Sequence, residues 1–116
     1  MSVSILANQK FFGLLELDPS GQVLYSRIEK DGRADGSAVD IIGRNFFSEV
    51  APFENVEEFQ RCLNSFRQSS QQANSISFTC QYEDGPLRVK VLLARIHERS
   101  ERDRTKAILV HIREAQ

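Results

Sequence analysis

Five short stretches of the chain carry the period-two alternation of strands, and one carries the spacing of an amphipathic helix. Phe11–Leu17 is a short apolar run with strand character, and Asp18-Pro19-Ser20-Gly21 after it supplies the residues of a tight turn. Gln22–Arg27 then alternates, with Val23 and Tyr25 facing one way and Leu24 and Ser26 the other, so the two runs predict a β-hairpin. Further on, Ile76, Phe78, Cys80 and Tyr82 alternate with Ser77, Thr79 and Gln81. Leu87–Ile96 sets Leu87, Val89, Val91 and Leu93 against Arg88 and Lys90, and the last run, Ala107–Arg113, carries Ile108, Val110 and Ile112. Asp84-Gly85-Pro86 marks a turn between the third and fourth runs.

The middle of the chain reads as helical turns. Ser37 is positioned to cap a short helix carrying Val39, Ile41 and Ile42, which Gly43 stops. Asn45 caps a second, Phe46–Val50, and Ala51-Pro52 ends it. The longest helix is Asn55–Ser69, where Val56, Phe59, Leu63 and Phe66 make one stripe beside Cys62. Asn55 followed by Glu58 has the spacing of a capping box. Two strands, several short helices and one longer one, then three strands predict an α+β fold: a five-stranded antiparallel sheet with its helices on one face. Residues 1–10 read as a leading segment and 11–116 as one domain, which suits a chain of 116 residues.

Composition narrows the function classes. Net charge is −1 and the pI about 6.1, which gives no bulk attraction to nucleic acid or anionic lipid. The charged stretch Arg95–Lys106 mixes Glu98, Glu101 and Asp103 with its bases and reads as a solvated loop. Cys62 and Cys80 form no CxxC pair and fall on apolar faces, as buried reduced thiols do, and with two scattered histidines they make no zinc site. No apolar run is long enough to span a bilayer, and Ser2–Gln9 lacks the build of a signal peptide, so a cytoplasmic location is expected. There is no Ser-His-Asp spacing, phosphate loop or metal cluster, and the chain is not expected to be an enzyme.

The segment Gly43-Arg44-Asn45-Phe46-Phe47-Ser48-Glu49-Val50-Ala51-Pro52 resembles a run found in the photoactive yellow protein family of PAS domains. Phe12-Gly13 and Leu17-Asp18 through Gly21 are similar to that family's opening hairpin. Glu58-Phe59, Tyr82, Pro86 and Val89-Lys90-Val91 fall in step, without a gap, from about Phe12 to Val91. The resemblance implies the PAS fold and a sensory role in signal transduction. It also exposes departures. The family carries a cysteine after the Ala-Pro, whose thiolate holds a hydroxycinnamoyl chromophore; this chain has Phe53, which offers no nucleophile. Where the family uses a tyrosine and a glutamic acid to hold the phenolate, Ser26 and Lys30 stand, with Tyr25 one residue off, and Gly36 replaces a shielding arginine. Nor does Asn45-Phe46-Phe47 carry the reactive thiol of flavin-binding LOV domains, and the long helix holds no histidine for haem; His97 and His111 read as strand or surface residues. No cofactor is expected.

By the same resemblance Leu15, Ser26, Ile28, Lys30, Phe46, Val50, Phe53, Phe66, Cys80 and Tyr82 surround the place where PAS ligands bind. Two readings follow: Phe53 and Phe46 fill that space as a solid core, or a small apolar cavity remains with Lys30 at its mouth, suited to an organic acid. The first makes the chain a non-photoactive interaction module that acts in trans on a signalling partner, or on a second copy as a dimer. The second makes it a sensor of a non-covalently held small molecule. With only Glu114–Gln116 after the last strand, output is expected to pass to a separate protein unless the chain is part of a longer one. The expected docking surface is the outer sheet face, through Ser77, Thr79, Gln81, Leu92, Ala94, Ile96 and Leu109.

Overall fold

A computed structural model describes residues 10–30, 33–34, 41–98 and 101–115; the side chains of residues 29, 30, 33, 34, 98 and 101–106 lie outside that description. The strands are β1 (Phe12–Leu17), β2 (Val23–Lys30), β3 (Arg33–Ala34), β4 (Ala73–Tyr82), β5 (Gly85–Glu98) and β6 (Glu101–Glu114). They form one antiparallel sheet in the order β3-β2-β1-β6-β5-β4. The class is α+β, as expected, with one strand more than the five anticipated. That strand is the two-residue β3, which pairs with the end of β2 (Glu29 with Ala34, Lys30 with Arg33) and is too short to leave a periodic signal. The expected helix at 37–43 falls largely on residues outside the description, although Ile41 is buried and Gly43 takes φ 89° just after it.

The β1–β2 hairpin departs from simple alternation. Its register slips beside Leu17, so Leu17 pairs with Val23 and Glu16 with Tyr25, and Leu24 is passed over. Val23 therefore points into the core while Tyr25 points out. Upstream, Gly13 lies opposite Ile28 with φ 151°, and a Cβ there would stand 2.4 Å from the Arg27 carbonyl oxygen. Only glycine lets β1 and β2 approach so closely.

The charged stretch Arg95–Lys106 is not a loop. β5 continues to Glu98 and β6 begins at Glu101, so the two strands form one long hairpin. Backbone pairing satisfies the ladder there whatever the side chains are, which is why a polar, charged sequence can stay in strand conformation. Arg95 is half-buried there. Its Nη2 donates to the carbonyls of Phe66 at 2.6 Å, Arg67 at 2.8 Å and Ser69, its Nε to that of Gln71 at 2.7 Å, and its guanidinium lies over the Phe66 ring. These are carbonyls at and just beyond the C-terminus of α1 (Val56–Gln68), where a helix lacks partners and favours a cation. No helix among the described residues is long and apolar enough to cross a membrane.

Candidate functional site

Asn45 builds the near wall of the interior. Its side-chain oxygen accepts from the N–H groups of Phe47 and Ser48, and Glu49 accepts from the Asn45 N–H at 2.8 Å. This cap, read correctly from the sequence, starts a single π-type turn over Phe46–Val50, closed by Ala51 N–H donating to the Phe46 carbonyl. Phe46 and Val50 are driven inward by that turn and are fully buried. Gly21 lies under the Phe47 ring, where a Cβ would come within 2.6 Å, so the β1–β2 turn and this helical turn are packed backbone to ring.

Asn55 does something the capping-box spacing did not suggest. It makes no side-chain cap on α1. Its amide instead donates to the Thr79 carbonyl at 2.8 Å and accepts from the Gln81 N–H at 2.9 Å, while Glu54 N–H donates to the Gln81 carbonyl at 2.7 Å. β4 is an edge strand, and these bonds satisfy backbone groups that would otherwise face outward unpaired. The segment just before α1 is thereby fixed against β4, and this holds Phe53 in place.

Phe53 is only 4% exposed and packs edge-on or tilted against Phe59, Phe78 and Tyr82, at centroid separations of 5.5, 6.1 and 6.1 Å. Phe46 reaches the same group through Phe59 at 5.9 Å and is joined by Phe11 at 5.6 Å. Such contacts are favourable beyond the area they bury. Leu15, Phe46, Val50, Phe53, Phe66, Cys80 and Tyr82 all belong to this one core, and Ile28 packs against it. Ser26 is half-buried, and the side chain of Lys30 lies outside the described residues, as does Gly36. Phe11, Phe59 and Phe78, at the heart of the cluster, were not among the residues anticipated for it. Their apolar positions were visible in the sequence, but not their meeting across the fold.

Cys80 and Tyr82 bring side-chain polar chemistry into this core. The Tyr82 hydroxyl accepts from the Phe11 N–H at 2.9 Å and is hydrogen-bonded to Cys80. Burial pushes the Cys80 thiol up to about 12 against the smaller opposing pull of that bond, and burial likewise raises Tyr82 to about 12. Cys80 is therefore held as a thiol, a poor nucleophile at neutral pH. Cys62, expected to be buried, is half-buried on the flank of α1.

The residues anticipated on the outer face do lie there. Ser77, Thr79 and Gln81 alternate with the buried Phe78, Cys80 and Tyr82, and Leu92, Ala94, Ile96 and Leu109 point the same way. Leu92 is 43% exposed. Leu14 and Tyr25 extend this face onto β1 and β2, which the sequence alone could not place there.

A sheet with its helices on one face, closed by a π-type turn and one longer helix, defines a PAS-type sensory domain. The chain belongs to the photoactive yellow protein family. It is 33% identical over 84 residues to photoactive yellow protein of Halochromatium salexigens, an alignment covering 72% of this chain and 67% of that one. It is 29% identical to the Rhodothalassium salexigens protein of that name, with the same coverage, and 33% identical to that of Cereibacter sphaeroides over 81 residues, 64% of its length. The chain thus spans about two-thirds of these relatives. No protein-family model matches it. A fungal LOV domain photoreceptor superposes at 14% identity with a TM-score of 0.47, covering 99% of this chain and 84% of the other, a likeness too loose to bear on function.

Proposed function

We propose that this chain is a non-photoactive PAS sensory and interaction module of bacterial-type signal transduction, acting in trans on a separate protein through the outer face of its sheet. The observation that carries the reading is Phe53. By the family resemblance it stands where a chromophore thiolate would be, and its buried ring meets Phe59, Phe78 and Tyr82. A filled interior leaves the module its surface to work with. On the outer face Leu14, Leu109, Leu92, Ala94 and Ile96 give an apolar centre among polar neighbours, the mixture that suits a reversible interface. The alternative, a sensor holding a small molecule in the interior, draws less support from a core in which Phe46, Phe53, Phe59 and Phe78 form one connected set of rings.

Light scattering over a concentration series, with affinity capture from the native lysate, tests the interface. Leu109→Arg and Ile96→Arg should each abolish whatever association the unaltered protein shows, whether with a second copy or with a partner. A protein that stays monomeric and whose arginine variants capture the same partners would refute the assignment.

A further inference from the structure

The outer sheet face sorts its charges to one end. Across the strands, one row runs Tyr25, Glu16, Leu109, Ala94. The next runs Arg27, Leu14, His111, Leu92. Beyond it Arg113 pairs with Lys90, and Arg88 follows two residues along β5 on the same face. Arg27, Arg88, Lys90 and Arg113 are all exposed. Ion pairs among the described residues are Lys10–Asp84 and Arg44–Glu49, and neither touches this face. Glu16 is the one carboxylate among the described side chains of these rows, and it lies at the opposite end, beside Tyr25. The aliphatic centre is therefore bordered on one side by four cations that take part in neither ion pair found among the described residues, in a chain whose overall charge is −1.

We infer that this face takes an acidic amphipathic segment of a partner protein, with apolar side chains on Leu14, Leu92 and Leu109 and carboxylates toward Arg27, Lys90, Arg88 and Arg113. The inference rests on the outer face being the interface proposed above, and it names the partner's chemistry. A second copy is a poor occupant, because it would bring the same four cations to a face that already carries them, and like charges brought together oppose docking. A nucleic acid would find mainly aliphatic side chains at the centre, with Tyr25 at the far border and the rings of His111 and Phe12 scattered among them, where stacking platforms need aromatics along the path. An anionic bilayer would meet the chain's 16 acidic residues along with its 15 basic ones. A helical segment fits the dimensions. From β2 to β5 is three strand spacings of about 4.8 Å, roughly 14 Å, which about ten helical residues span at 1.5 Å each.

The test titrates the whole chain into two labelled synthetic peptides of helical pattern, one with leucines on one face and glutamates on the other, its twin with each glutamate replaced by lysine. Fluorescence anisotropy should give about tenfold or tighter binding of the glutamate peptide, weakening as salt is raised. In Lys90→Glu/Arg113→Glu, confirmed as folded by circular dichroism, the preference should reverse. Equal binding of the two peptides, binding of neither, or an unchanged preference in the double variant would each overturn the inference. So would selective capture of anionic vesicles or a single-stranded oligonucleotide in place of the glutamate peptide. If Leu109→Arg abolishes capture of cellular partners while Lys90→Glu/Arg113→Glu leaves it intact, the interface stands and the acidic partner falls. If neither variant changes capture, both fall.

Discussion

On the inner face of the sheet Leu15, Leu17, Val89, Val91 and Val110 are buried beneath α1 and the Phe46–Val50 turn, whereas on the outer face their neighbours Leu14, Leu92 and Leu109 stand half-covered or open. The aliphatic residues of the two faces alternate along the same strands, but the inner face is apolar throughout, whereas the outer one mixes its leucines with Ser77, Thr79, Gln81, Arg88, Lys90 and Arg113. Burial of the apolar face decides which side receives the helices, and a few polar anchors fix them there. Arg95 holds the C-terminus of α1 to β5, Asn55 holds the entry to α1 against β4, and Asn45 winds the π-type turn. With those in place the helical stripe and the sheet close around the aromatic cluster, and a fully buried leucine or phenylalanine then contributes about 1.5–3 kcal/mol. Among the described residues no helix lies over the outer face, where Leu92 is open and Leu14 and Leu109 are half-covered.

The comparison is broken most severely from the inside. Phe53→Ala should lose about 3–5 kcal/mol of stability, because the ring leaves a cavity among Phe59, Phe78 and Tyr82 that the anchored backbone cannot collapse to fill. Chemical denaturation gives the value directly, and a loss near zero would place Phe53 in an open pocket. At the other extreme, Leu109→Arg should change stability by less than about 1 kcal/mol in the same assay, since from a half-covered sheet position a long side chain can carry its charge out into water. A large loss there would mean that the outer face is covered after all.

Much of this division was legible in the sequence. Strict alternation in β4 and β5 separated inner from outer residues, and the stripe Val56, Phe59, Leu63, Phe66 marked the buried side of α1. Asn45 was recognisable as a cap because its partners are its own next residues. Asn55 was misread for the opposite reason. Its partners lie more than twenty residues away on β4, and only the strand order makes β4 an edge in need of them. The charged end of the β5–β6 hairpin carries no strand signal in the sequence, because its strand character comes from backbone pairing across the hairpin and not from an apolar face. The cation row escaped notice altogether. Arg27, Arg113 and Lys90 are scattered along the chain, and the registers of β1 with β2 and of β5 with β6 are what bring them to one end of the sheet.

The proposed non-photoactive role rests on buried Phe53 standing, by the family resemblance, where a chromophore thiol would be, and its most direct test is the absorption spectrum of the purified protein before and after incubation with an activated hydroxycinnamate. The prediction is a colourless protein whose intact mass is that of the chain alone, with no visible band after incubation beyond thiol labelling at Cys62. A protein that is yellow as purified, or a coloured adduct that survives denaturation and maps beside residue 53 and not to Cys62 or Cys80, would contradict it.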